Sequence, residues 1–281
     1  MEAGAAAIRG VRGLAMGATL RRYGRLLWVE LRTSFALAMQ YRFDFFVEGA
    51  LALMGLALTM VPLLVVYARR ATVAGWSYPE ALVVVGVFSV LKAVLDGGIT
   101  PSLNQVVDGI RKGTLDFILL KPADAQFLVS TARFEPWRIV DLLGSVGIVV
   151  YAFHLLHRIP GPAQVAIGVV LFGIALLILY SIWILVVSLS LHVVKVDNLS
   201  YLFMSIFDAG RWPVYVFKGA LRVLFTAVFP LAFMTTYPAQ ALLGSLTANH
   251  AAVAFAGGLL FAACARRIWK RSLRAYTSAS S

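Results

Sequence analysis

From Ala163 to Leu191 the chain runs without one charged side chain. A helix of that length exceeds a ~30 Å hydrocarbon core at ~1.5 Å per residue, so it must tilt or protrude. Comparable apolar stretches run from about Phe45 to Tyr67, Pro79 to Leu95, Ile139 to Leu156, Asp197 to Trp212-Pro213, and Ala251 to Trp269. One globular core cannot hide so much apolar surface: 60% of the 281 residues are hydrophobic and mean hydropathy is +0.85. Soluble domains use roughly 45–50% apolar residues. The expected fold is all-α, with six transmembrane helices.

The charges orient these spans. Seven arginines precede Phe45, and Arg266, Arg267, Lys270, Arg271 and Arg274 follow the last span, so both ends favour the cytosol. Both ends on one side require an even number of crossings. The Leu221–Phe233 stretch, expected to be broken by Pro230 and Pro238, is therefore read as a re-entrant outer hairpin, about 214–249, and not as a seventh span. On this topology 18 of the 25 Lys and Arg fall on cytosolic segments and six on outer ones, with Lys92 inside a span. A net charge of +12 can also signal nucleic acid, but these charges flank apolar spans instead of lining one face, so no nucleic-acid partner is expected. The single cysteine, Cys264, supports neither a disulfide framework nor a thiolate metal site. The first 25 residues have no continuous apolar core of secretory-signal length, so no cleavage is expected.

Residues 1–42 form a first unit and 43–281 the membrane domain. Residues 1–18 are Ala/Gly-rich and expected to be loosely ordered. From Thr19 to Tyr41 the arginines Arg21, Arg25 and Arg32 share one helical stripe, while Leu20, Leu27, Leu31 and Ala38 share another. That pattern suits an amphipathic helix lying in the membrane interface.

Between the second and third spans lies a polar block, about 109–124, on the cytosolic side. Gly113-Thr114 opens a short helix-sized piece and Lys121-Pro122 closes it. Thr114 is the expected N-cap, and Asp116 in the first turn complements the helix dipole. Leu115, Ile118 and Leu119 make a small apolar face, and Phe117 and Leu120 add to it. A solvated loop does not expose so many apolar side chains together, so a partner or the membrane surface must cover them. A partner would make the block a docking element on a membrane subunit driven by a soluble protein; the alternative packs it back on the membrane surface.

Other candidate sites read as structural. His154 and His157 are three apart without a nearby acid, which suits interface polar residues better than metal ligands. His192 and His250 lie at span ends. Lys92 and Asp96, four apart, can pair with each other, and Asp208 and Arg211 likewise. Glu48, near the inner end of the first span, has no evident partner. There is no G-x-x-x-x-G-K-[ST] phosphate loop, so no ATPase is recognisable in the chain, and no G-x-S-x-G, H-E-x-x-H or paired-Cys motif occurs.

Gly113-Thr114-Leu115-Asp116 with Leu119-Leu120-Lys121-Pro122, and Phe229-Pro230-Leu231-Ala232-Phe233 with Tyr237-Pro238-Ala239, resemble the type-2 ABC exporter permeases. The resemblance is nearest to bacterial membrane subunits encoded apart from their ATPase. It implies a permease half that pairs with a second half, identical or related, on two ATP-binding-cassette subunits. ATP and Mg would be bound by those partners, with no cofactor in this chain. It further implies that Gly113 to Pro122 is the coupling helix, that the N-terminal helix lies near the ATPase, and that residues 214–244 cap the exit of the path. The setting it implies is the bacterial cytoplasmic membrane, with export of an amphipathic or hydrophobic cargo. A stand-alone secondary transporter or channel is the alternative. It needs pathway-facing charges, for which only Lys92, Asp96 and Glu48 qualify, and paired broken helices, which the two halves do not show. A lipid-modifying enzyme would cluster His, Asp or Arg at one interface, and the histidines here are scattered.

Overall fold

The computed structural model describes residues 2–40, 42–191 and 197–275. Its chain is helical almost throughout. Helix α1 (Glu2–Gln40) begins far earlier than the arginine stripe suggests, so the segment expected to be loosely ordered has a helical backbone. Tyr41, its expected last residue, lies outside the described residues.

Helix α2 (Arg42–Tyr67) is followed by a small hairpin of β1 (Thr72–Val73) and β2 (Trp76–Ser77). Ala74 and Gly75, both at positive φ, make its two-residue turn, the conformation that matches the twist of paired strands. Helix α3 (Tyr78–Val94) starts where the Glu80 carboxylate accepts hydrogen bonds from the Ser77 N–H and hydroxyl, at 2.8 and 2.7 Å.

The helix of the second span does not end near Leu95. A π turn over Leu95–Ile99 carries it into α4 (Thr100–Arg111), so that Tyr78–Arg111 forms one element of 34 residues. The Gly97-Gly98 pair reads as a helix end, yet tertiary packing overrides that propensity. Gly97 lies against Arg138 and Gly98 against Phe134, at distances that leave little room for a Cβ. The Gly97 carbonyl accepts the Glu135 N–H at 2.8 Å.

Two short helices follow, α5 (Leu115–Leu119) and α6 (Ala125–Ser130), then α7 (Ile139–Leu155), α8 (Pro162–Ser190), α9 (Asp197–Asp208), α10 (Ala220–Val223), α11 (Tyr237–Leu243) and α12 (Ala248–Ala275). Among the described residues five helical segments are long and apolar enough to cross a bilayer: Phe43–Tyr67, Tyr78–Arg111, Pro136–Leu155, Pro162–Ser190 and Ala248–Ala275. The expected fifth span is shorter. α9 has 12 residues and continues only as a tight turn, Ala209–Arg211.

The core sits around α3 and α8. Residues 81–89 of α3 are all buried, and α8 packs on α12 and α11. Close approach is bought with glycine: a Cβ on Gly86 would lie 2.5 Å from Val149 Cγ2 of α7, and one on Gly258 2.4 Å from Ile174 Cγ2 of α8. Small residues at helix crossings are how helices pack where lipid removes any hydrophobic drive between them. α2, α7 and α12 turn apolar side chains outward, with Phe46 73% and Leu58 60% exposed. Such surfaces need a lipid solvent.

The two ends of the bundle differ. At one end the β hairpin meets the segment after α9, where Trp76 stacks on Tyr215 at 6.4 Å. Here α10 runs on as a π turn over Leu224–Val228 and stops at Phe229-Pro230, the expected break. A second π turn (Ala232–Thr236) leads into α11. Pro238 does not break this arm: the helical backbone runs from the π turn through Pro238 into α11. The Val214 N–H donates to Thr236 Oγ1 at 3.1 Å and closes the hairpin. At the other end α1, α5, α6 and the C-terminal part of α12 converge.

Candidate coupling site

The loop between α4 and α7 is built from a sharp stop. Gly113 takes a left-handed φ of 69° after α4, and the Thr114 N–H donates to the Gly109 carbonyl at 2.8 Å. Thr114 does not cap α5. Its backbone is in the helical region, and its hydroxyl turns back toward the Gly109 carbonyl at 3.4 Å. α5 itself covers only Leu115–Leu119, so the helix expected over Gly113 to Pro122 is shorter, and it ends before Lys121-Pro122.

Burial divides its apolar residues into two sets. Leu115 is fully buried, and Ile118 and Leu119 pack against the same core, so this face is covered by the chain itself. Phe117 and Leu120 point the other way and are 70% and 81% exposed. They stand three apart on the helical turn, a spacing that makes one patch. Lys112, Lys121 and Pro122 are exposed around it.

A network that sequence reasoning did not find holds this loop. Asp124 caps α6, its Oδ1 accepting the Phe127 N–H at 3.1 Å. The Arg266 guanidinium of α12 grips the same carboxylate in a fork, 2.7 Å to Oδ2 and 3.3 Å to Oδ1, and also donates to Gln126 Oε1. Gln126 Nε2 in turn donates to Tyr180 OH of α8 at 3.0 Å, and Ser130 Oγ lies 2.6 Å from that phenol. From the opposite side Arg22 of α1 donates to the Pro122 carbonyl, the Asp124 N–H donates to Tyr23 OH at 3.0 Å, and the Tyr23 ring packs edge-on against Phe127. The bonds from Arg266 hold the Asp124 carboxyl below the ordinary carboxylate range, against a smaller push upward from burial. Three distant elements, α1, α8 and α12, thus converge on one loop. An Asp just before an apolar run signals the cap, but nothing local marks Arg266.

Of the N-terminal stripes, Arg21, Arg25 and Arg32 are exposed; on the apolar one Ala38 is buried, Leu27 half-buried and Leu31 exposed. The contacts of α1 come from other residues, Arg22 and Tyr23 above, and Ser34, whose hydroxyl accepts the Phe134 N–H at 3.2 Å.

The membrane charges form a chain across helices. Lys92 Nζ lies 3.9 Å from Asp96 but 3.5 Å from Asp208 of α9, and Asp208 is also 3.4 Å from Arg211. Arg138 pairs with Asp141 at 2.9 Å and lies 3.8 Å from Glu135. Burial pushes the Glu135 carboxyl up, opposed by Arg138 and Arg133. Glu48 has no ion-pair partner among the described residues. The His154 and His157 rings sit 6.3 Å apart, and no group of three or more metal-ligating side chains occurs among the described residues. His250 stacks on Tyr237 at 5.1 Å, and His192 lies outside the described residues.

A family profile described as "ABC-2 family transporter protein" matches residues 53–280. The chain belongs to the ABC-2 transporter family. As a member it is a multi-pass membrane component of a transporter, and ABC-2 permeases generally work with ATPase subunits. The match takes in the loop between α4 and α7, the short α9 and the hairpin, and leaves α1 outside it. Neither the comparison with curated proteins nor that with solved structures returned a match.

Proposed function

We propose that this ABC-2 permease is the membrane half of an ATP-driven exporter, with α5 as the element that docks on the ATPase. The observation that carries this reading is the Phe117/Leu120 patch. It is apolar, exposed, and mounted on a loop braced by α1, α8 and α12. A helix that merely packed back on the membrane surface would need no such bracing. The docking face is therefore Phe117 and Leu120, while Leu115, Ile118 and Leu119 anchor the helix to its own bundle.

The mechanism follows from this bracing. ATP binding closes two ATPase subunits and moves the docked α5. The Asp124–Arg266 fork passes that movement to α12, and Gln126–Tyr180 passes it to α8. Hydrolysis then releases the ATPases and resets both helices. A second permease half, the same or related, completes the path for an amphipathic or hydrophobic cargo. In this reading α9 with its following turn is a short sixth crossing, both chain ends and α5 face the cytosol of a bacterial cell, and the hairpin of α10 and α11 caps the outer exit. The paired state of Lys92, Asp96, Asp208 and Arg211 weighs against a free-standing ion pathway through them.

Purification of the intact chain from its native membrane tests the proposal. The expected companion is a protein bearing a phosphate-binding loop, lost on Leu120→Asp. Full transport by the chain in vesicles without any ATPase would refute it.

A further inference from the structure

Two cavities near the α5 end of the bundle carry the opposite charge to the chain as a whole. The chain's net charge is +12. One cavity, about 760 Å³ between α1, α2 and the segment before α7, is lined by Glu30, Asp44 and Glu48 against a single cation, Arg133. The other, about 240 Å³ between α2, α3 and α7, is lined by Glu48, Asp96 and Asp141 against Lys92 and Arg138. In this second cavity Lys92 is near Asp96 and Arg138 pairs with Asp141. Glu48, common to both cavities, is left without a paired cation among the described residues; it is exposed and lies near the inner end of the Phe43–Tyr67 segment. A carboxylate so placed in a membrane-spanning segment commonly marks a functional site.

A second feature points to a ligand. Ser145 also lines the smaller cavity, is fully buried, and its hydroxyl has no hydrogen-bond partner. A buried polar group left unsatisfied by the protein is a position where a ligand or water belongs.

We infer that the smaller cavity binds the ammonium head of a cationic amphiphile, with Glu48 as its counter-ion. A bare divalent metal is disfavoured because Lys92 and Arg138 flank the remaining carboxylates. Between the Thr59 and Ser89 hydroxyls the wall is apolar, with Leu51, Leu56 and Ala93 suited to the methyl or methylene groups around an ammonium nitrogen. The space is below the ~300–1,000 Å³ that encloses a whole drug-sized ligand, so it takes a head group only. The tail has its own place: an apolar groove of about 650 Å³, walled by Trp28, Leu31, Phe35 and Phe45, shares Ala93 and Arg138 with the head-group cavity. The acidic outer cavity concentrates cations beside Glu48. Calling this amphiphile the cargo rests on the permease reading above; its binding does not.

The test is equilibrium binding of labelled dodecyltrimethylammonium to the purified full chain in lipid nanodiscs, beside its neutral counterpart ending in a tert-butyl group. The expected result is saturable binding of the cation, weakened about ten-fold by Glu48→Gln and restored by Glu48→Asp. The neutral compound binds more weakly and equally to all three proteins. Equal affinity of the native chain and Glu48→Gln for the cation, or equal affinity for cation and neutral compound, overturns the site and leaves the permease reading intact. Glu48-dependent binding with no ATP-driven movement of the cation, in vesicles holding the ATPase, overturns the cargo assignment and leaves the site.

Discussion

Leu115 and Leu120 are both leucines of one short helix, yet they do different work. Leu115 is fully buried and Leu120 is 81% exposed. Leu115→Ala removes buried methyl groups and should destabilise the chain by about 2–5 kcal/mol, read as a lower unfolding midpoint in detergent. Leu120→Ala or Phe117→Ala should leave that midpoint unchanged and weaken ATPase association. If Leu120→Ala lowers the midpoint as much as Leu115→Ala, the division of faces is wrong. The apolar content of this loop and its need for cover were legible in the sequence. Which leucine faced which way was not, because that depends on where α4 and α6 lie, and five residues are too few for a periodic pattern to decide.

Among elements, the Asp124–Arg266 fork joins the loop to α12 across 142 positions of sequence. Separation of that size leaves no local trace, so the fork could only come from the fold. The pairing of Lys92 was half legible for the same reason: Asp96 lies on its own helix, whereas Asp208 reaches it from α9. Arg266→Gln should leave ATP hydrolysis running while transport falls, a change in the ratio of the two rates. Equal loss of both would mean the fork serves folding alone. Acid should act on it with a definite sign. The folded-state pKa of Asp124 is depressed, so its stabilising effect is present at neutral pH and disappears as pH falls through that depressed value. Thermal stabilities of native chain and Asp124→Asn should therefore converge on acidification, and a gap that widens would contradict the assignment. The α3–α7 contact offers a packing test. Gly86→Ala places a methyl group 2.5 Å from Val149 Cγ2 and should cost about 1–3 kcal/mol. Val149→Ala in the same chain should recover part of that loss, and strict additivity of the two changes would show that the helices do not meet there.

For the whole molecule, the apolar runs made the membrane class and most spans readable, since a bilayer demands long apolar helices and little else has them. What was not readable lies where tertiary contacts replace local rules: the π turn that carries the second helix on to Arg111, and the described α9, at 12 residues shorter than the stretch expected there. The charge argument makes both chain ends share a side with α5. With Cys264→Ser as background, cysteines placed in the α12 tail by Arg274→Cys and in the loop by Lys121→Cys should react with a membrane-impermeant reagent only from the cytosolic side. Lys218→Cys should react only from outside. Central to the account is that Phe117 and Leu120 meet an ATPase. A photo-cross-linking residue at position 120, activated in native membranes, tests this directly. The account predicts an adduct with a protein carrying a phosphate-binding loop, sensitive to Phe117→Asp. Adducts only with lipid, or only with a second copy of the chain, would contradict it.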